Sequence, residues 1–341
     1  MRDLFGNQTV AAALSRMIEG DRIPQTILLA GPEGVGKATL ARRFAASLLG
    51  DAARIEQDDL SLPANLERIA EREKLPTEKR AEDPLYFATH PDFVTFPPDG
   101  PLRQISIQQM RLLKDRAQFS PSRGRYRVFL IDHLDRANEQ AANSLLKTLE
   151  EPPPHLVILS TAENYYDLLP TIRSRSVIFH LSALSDADMA AFAASRGWDA
   201  SDRRVRLAAG SPGIAVAMDL EEWDKRRQRM LALMEVASRL ANFSAWVKHS
   251  ETIAASKSEK LDNYVKVLYS LLEDVLLLRE GAPASRNVDF EPQLARIAAA
   301  VSFDWILLFT RKVDELAEFA RRNIQKGIAL DAVAASLRRA V

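Results

Sequence analysis

An apolar run, Ile27-Leu28-Leu29-Ala30, stops at a glycine-rich turn, Gly31-Pro32-Glu33-Gly34-Val35-Gly36, which ends in Lys37 and continues into helix-forming residues. No other feature restricts the fold as much. A buried strand that delivers such a turn into a helix N-terminus aims several backbone N–H groups at one point. The helix dipole favours negative charge there, and a lysine can reach the outer phosphates. A Cβ on the glycines would block the turn or the close approach of a ligand. The spacing predicts a phosphate cradle at Gly31, Gly34, Gly36 and Lys37. Apolar runs at 128–131, 156–160 and 177–179, separated by helical patterns, predict the rest of a parallel sheet covered by helices on both faces.

The cradle departs from its usual chemistry after the lysine. That position is normally Ser or Thr, whose hydroxyl ligates Mg²⁺; here it is Ala38. Thr39 comes one residue late, and one helical step turns a side chain by about 100°. Thr39 is expected to line the nucleotide site without replacing that ligand. The strand at 128–131 ends on Asp132, the acid that beside a phosphate loop organises the Mg²⁺ shell. His133 follows. Imidazole can act as a base near neutral pH, but it is shorter than a glutamate and aimed differently, so His133 is not expected to be a hydrolytic base. Asp135 reads as a surface or capping acid.

A third element, Thr171-Ile172-Arg173-Ser174-Arg175-Ser176, puts two arginines in a polar turn before the strand at 177–179. Arginines in such turns are usually solvated. In an oligomeric nucleotidase, one of them can instead reach a neighbour's γ-phosphate and stabilise charge in the transition state. Residues 103–127 hold Arg103, Arg111, Lys114, Arg116, Arg123, Arg125 and Arg127 against one acid, Asp115. This stretch reads either as a face for DNA phosphates or as a solvated or subunit-facing surface.

Composition excludes several classes. The 341 residues contain no cysteine, so disulfides, thiol catalysis and cysteine-ligated zinc or iron–sulfur sites are ruled out. Basic and acidic residues number 46 each, so bulk charge will not hold the chain on DNA or on an anionic membrane. The start carries an early acid and no long apolar run, which argues against a signal peptide. No stretch approaches the ~18 apolar residues of a membrane span, and the cytoplasm is the expected compartment.

The length suggests about two to three domains. Residues 1–180 carry the strand–helix alternation. Residues 181–216 read as a small helical unit, with Ser185 capping a helix and Gly197 ending it. Residues 217–341 read as all-helical. Val265, Leu268, Leu271, Leu272, Val275 and Leu276 follow helical spacing there, as do Phe309, Val313, Leu316 and Phe319 with Ala320. Residues 51–83 are dense in charge, interrupted by Pro63 and Pro76, and the least structured-looking part.

Taken in order, several motifs resemble the AAA+ clamp-loader family of bacterial DNA polymerase III. They are Leu4-Phe5-Gly6-Asn7-Gln8, the phosphate loop, His90-Pro91-Asp92, and Ile105-Ser106-Ile107-Gln108-Gln109-Met110-Arg111. Ala142-Asn143-Ser144-Leu145-Leu146-Lys147-Thr148-Leu149-Glu150-Glu151-Pro152-Pro153 is the most specific. Leu169-Pro170-Thr171-Ile172-Arg173-Ser174-Arg175-Ser176 and Gly210-Ser211-Pro212-Gly213 complete the set.

The resemblance implies an α/β AAA+ domain with a parallel sheet, a helical lid and an all-α collar. It places a trans-acting arginine finger on Arg175 and a γ-phosphate sensor on Thr161. The family's lid arginine falls on Gly213 and its catalytic glutamate on His133, so both are absent, as is the metal hydroxyl at Ala38. Within the family this pattern is similar to the non-hydrolysing delta-prime branch. It implies ATP or ADP bound weakly at Gly31, Gly34, Gly36, Lys37, Thr39, Asp132 and Thr161, without hydrolysis and without a catalytic metal. The implied partners are the gamma/tau and delta subunits, primer–template DNA within the complex, and the sliding clamp indirectly; no membrane is implied. Many members of that branch carry a four-cysteine zinc module where this chain has residues 51–83, and no such module can exist here. An active gamma/tau-like motor, or a nucleotide-binding regulator outside replication, are the competing readings.

Overall fold

Five parallel strands build the sheet of the first unit: β1 (Thr26–Ala30), β2 (Phe93–Phe96), β3 (Arg127–Ile131), β4 (Leu156–Ala162) and β5 (Val177–His180), in the order β2-β3-β4-β1-β5. The computed structural model describes residues 4–199, 201–256, 259–320 and 324–340. They divide into two units, Met1–Ala215 and Val216–Val341. β1, β3 and β4 are buried along their whole lengths, as strands covered by helices on both faces must be. One apolar layer gathers Leu28, Val94, Phe96, Phe129 and Ile158 with Leu113 and Leu145. The opposite layer gathers Ile27, Leu29, Leu130 and Leu159 with Leu40 and Phe44. Alternating strand residues therefore feed opposite faces.

β2 is a strand the sequence reading did not separate from its surroundings. It pairs with β3 from Phe93↔Val128 to Phe96↔Ile131. β5 is the exposed edge, paired only with β1 through Ile27↔Val177 to Ala30↔His180.

The charged segment folds as short helices, Ala52–Ile55, Pro63–Glu73 and Thr77–Glu82, around a small core of Ile69, Leu85 and Phe87. Ion pairs do much of its internal fastening. Arg42, 3% exposed, meets Glu56 at 2.9 Å and also Asp59. Arg72 meets Asp99 at 2.7 Å, with both side chains 7% exposed. Asp58 is buried and accepts from the Thr89 hydroxyl at 2.7 Å and the Thr89 amide at 3.0 Å.

Ser185 caps the helix Asp186–Ser195 by accepting from the Asp188 amide, and Gly197 follows with a left-handed φ of 70°. Leu184, Met189, Phe192, Ala208 and Ala215 form a separate small core, against which Phe5 and Ile214 pack. Asn7 links this region to the chain start: its Nδ2 donates to the Ser182 carbonyl at 3.0 Å, and the Ser182 amide donates to its Oδ1 at 2.9 Å.

The second unit is helical. Its core holds Trp246, Tyr264 and Phe309. Val265, Leu268, Leu271, Leu272 and Val275 are buried and Leu276 packs partly buried against them, as the helical spacing predicts. Phe309, Val313 and Leu316 are buried as well, whereas Phe319 is 40% exposed. The side chain of Ala320 lies outside the described residues. Asp274, fully buried, accepts from the amides of Ser285 and Asn287, each at 2.7 Å, and so fixes the loop between two helices. Among the described residues no single helix is long and apolar enough to cross a membrane.

Candidate nucleotide site and arginine turn

The glycine loop leaves β1 as the sequence predicts and opens the helix Lys37–Leu49, with Gly36 at its N-cap. The Gly31 amide donates back to the Ala162 carbonyl at the end of β4, at 3.1 Å. Lys37 is 6% exposed. Its ammonium donates to the carbonyls of Gly31 and Pro32, both at 2.7 Å. Burial pushes this lysine below its ordinary pKa, against the opposing pull of Glu163, Asp132, Asp135 and Glu33. Two of its three donors are thus spent on the loop itself.

Gly34 faces the lid. With φ +76° it occupies the left-handed region, and a Cβ there would come within 2.8 Å of the Ile214 backbone nitrogen. The Gly213 amide donates to the Gly34 carbonyl at 2.8 Å. A Cβ on Gly213 would in turn lie 3.0 Å from the Gly34 Cα and carbonyl oxygen. Gly213 is the position where the resemblance expects an arginine, and the loop backbone crowds the first side-chain atom such a residue would bring.

Asp132 ends β3 and is 8% exposed. Thr161 sits beside it in β4 and is fully buried. Its hydroxyl donates to Asp132 Oδ1 at 2.6 Å and accepts from the His133 amide at 2.8 Å. Sequence reasoning assigned Thr161 by resemblance and did not see this link. His133 adopts a left-handed φ of 55°. Its Nδ1 lies 3.5 Å from Glu163, whose amide donates to Asp135 Oδ2 at 3.2 Å. Asp135, read from the sequence as a surface or capping acid, is half-buried, and desolvation pushes its carboxyl above the ordinary range. Ala38 and Thr39 follow Lys37 in the same helix, half-buried. The methyl of Ala38 offers no oxygen to a metal, and Thr161 already occupies one oxygen of Asp132.

The arginine turn lies at the other end of the sheet. Arg175 precedes β5, whose first residue pairs with Ile27, whereas the phosphate loop begins four residues further along β1. At ~3.3 Å per residue those two strand ends are about 13 Å apart. The turn is anchored by Ile172, 1% exposed. Arg175 remains 35% exposed, donating through Nη1 to the Thr171 carbonyl at 3.0 Å and through Nη2 to Glu150 at 2.9 Å. Arg173 has different surroundings, with its guanidinium 5.7 Å from the Tyr165 ring centre and 5.5 Å from that of Tyr166.

The basic stretch does not form one open face. Arg103 pairs with Glu73, Arg116 donates to the Tyr86 hydroxyl, and Arg125 pairs with Asp21. Arg127 is buried, donates to the Phe119 carbonyl, and is pushed below the ordinary arginine range by that burial. Arg111, Lys114 and Arg123 are exposed. Asp92 of the His90-Pro91-Asp92 motif is fully buried and accepts from the amides of Ser122 and Arg123 at 2.7 and 2.8 Å, a structural task.

The family model described as "DNA polymerase III, delta subunit" matches residues 6–185, more than half of the chain. Among curated proteins, the DNA polymerase III subunit gamma of Buchnera aphidicola subsp. Schizaphis graminum is 31% identical over 188 residues, covering 55% of this chain and 46% of that protein. The subunit tau of Escherichia coli strain K12 is 31% identical over 182 residues, covering 53% and 25% respectively. The chain thus spans less than half the length of these relatives. A solved DNA polymerase III gamma subunit-related protein from Thermotoga maritima aligns with 96% of this chain and 98% of its own, at a TM-score of 0.45 and 17% identity.

Proposed function

Since the chain belongs to the DNA polymerase III delta-subunit family, we propose that it is a delta-prime-type subunit of the clamp loader, a component of the DNA polymerase III holoenzyme. In this reading it works in the cytoplasm with gamma/tau and delta subunits. It helps place the sliding clamp on primed DNA without hydrolysing ATP itself. The observation that carries the reading is the separation of Arg175 from its own phosphate loop by about the length of β1. An arginine so placed can serve a phosphate only on another chain. Its guanidinium stays charged and offers several donors in a rigid fork, which suits a γ-phosphate whose charge redistributes during transfer.

The chain's own site has the opposite character. Lys37 is engaged by loop carbonyls, the lid backbone is bonded to Gly34, and Ala38, His133 and Gly213 supply neither metal ligand, water activation nor charge sensing. Gly31, Gly34, Gly36, Lys37, Thr39, Asp132 and Thr161 would hold ATP or ADP weakly at most. The collar at 217–341 would join neighbouring subunits, and Arg111, Lys114 and Arg123 are the exposed cations left for DNA phosphates.

The identity to gamma and tau relatives favours one second reading, an active motor. Reconstitution with gamma/tau and delta separates the two. The isolated chain is expected to show no ATP turnover. In the assembled complex, Arg175→Ala should lower clamp- and DNA-stimulated ATPase while Arg173→Ala lowers it less, with assembly intact in both. Turnover by the pure chain that Lys37→Ala abolishes would favour the motor. Equal rates for wild type and Arg175→Ala would remove the arginine's role.

A further inference from the structure

Glu150 is the last residue of the helix Glu139–Glu150. A carboxylate is disfavoured there by the partial negative charge of the helix C-terminus, and Glu151 adds a second acid beside it. Helix formation therefore does not explain this side chain. Its contact with Arg175 does: Glu150 Oε1 accepts from Nη2 at 2.9 Å while the Thr171 carbonyl accepts from Nη1 at 3.0 Å. Two anchors from two different elements engage the two terminal nitrogens. Together they fix the plane of the guanidinium, which neither contact could do alone. A long, partly exposed arginine loses much rotamer freedom when it is ordered, and this arrangement removes that loss from the moment of contact.

We propose that Glu150 is a positioning residue for Arg175, holding the guanidinium oriented before it meets a phosphate on a neighbouring subunit. The inference rests on the reading of Arg175 given above. It adds a residue on the far side of the turn that acts only through that arginine. Glu150 is 48% exposed, so its effect should be modest, in the about two- to fivefold range of solvent-accessible ion pairs.

The test is a double-mutant cycle in the assembled complex, using clamp- and DNA-stimulated ATPase. Glu150→Ala should lower kcat about two- to fivefold with KM for ATP unchanged. Glu150→Gln, whose amide oxygen still accepts from Nη2, should recover part of the loss. The double variant with Arg175→Ala should be no slower than Arg175→Ala alone, because a positioning residue has nothing left to position. A wild-type kcat for Glu150→Ala beside an impaired Arg175→Ala would overturn the role of Glu150 alone, as would losses that multiply in the double variant. A silent Arg175→Ala would remove the underlying reading and the positioning role with it.

Discussion

The amide of Gly213 donates to the carbonyl of Gly34 at 2.8 Å, so lid and phosphate loop share a backbone hydrogen bond where neither carries a side chain. Where the resemblance implies a lid arginine, this chain has a close backbone approach as well as a missing charge. A Cβ on Gly213 would lie only 3.0 Å from the Gly34 Cα and carbonyl oxygen.

Gly213→Arg should consequently fail as a repair. The new Cβ meets the Gly34 Cα and oxygen at 3.0 Å, and forcing them apart should cost about 1 kcal/mol or more. A thermal melt should show a lowered Tm, and the isolated chain should still turn over no ATP. An unchanged melt accompanied by new hydrolysis would contradict the crowding argument.

Asp135 offers a pH-dependent prediction. Burial raises its pKa in the fold. The folded chain then holds that proton more tightly than the unfolded chain, so the contribution is favourable at low pH and is lost as pH rises through the folded pKa. At neutral pH the charged form is a net cost. Asp135→Asn keeps an oxygen for the Glu163 amide and removes the charge, so its Tm should exceed wild type near pH 7. The gap should narrow toward pH 4. A pH-independent gap would point to packing and not to charge.

The Arg72–Asp99 pair supplies a third test. Both side chains are 7% exposed, and removing Asp99 leaves the buried Arg72 with only the exposed Asp83 at 3.4 Å and the Arg80 carbonyl at 3.3 Å, a loss of up to about 3 kcal/mol. Asp99→Ala should lower the denaturant midpoint accordingly. It should also speed proteolysis within residues 51–83. An exposed-pair substitution such as Asp21→Ala, opposite Arg125, should change stability by less than about 1 kcal/mol.

The collar predicts an assembly defect. Deleting residues 216–341 should leave a first unit that has its own cores but does not co-purify with gamma/tau. Normal assembly of residues 1–215 would place the joining surface elsewhere.

What could be read in advance followed from local pattern. β1, β3 and β4 announce themselves as apolar runs because a strand buried on both faces needs apolar residues at every position. The Gly-rich turn and the Ser185 cap are likewise local chemistry. β2 escaped notice because Phe93-Val94-Thr95-Phe96 is only four residues long, lies between prolines at 91 and 97, and gains its identity from pairing with β3. The charged segment misled for a related reason. Arg72 looks solvated until Asp99, 27 positions away, is placed against it. In the site, the phosphate-loop pattern marked Ala38, and the resemblance marked His133 and Gly213, as departures from an expected hydroxyl, glutamate and arginine. They did not reveal that Thr161 ties Asp132 to the His133 backbone, or that Glu150 meets Arg175, since both links join elements distant in sequence.

The reciprocal pair of hydrogen bonds between Asn7 and Ser182 has a dynamic consequence. With Phe5 set edge-on to Phe192 at 5.5 Å between ring centres, it joins the start of the described chain to the lid. Neither segment can lift away without exposing the other. They should behave as one opening unit in native-state hydrogen exchange, with amides at 8–14 and 186–193 losing protection together and at the same denaturant concentration. An Asn7→Ala substitution would then loosen a helix some 180 residues away in sequence while leaving the five-stranded sheet at its original protection.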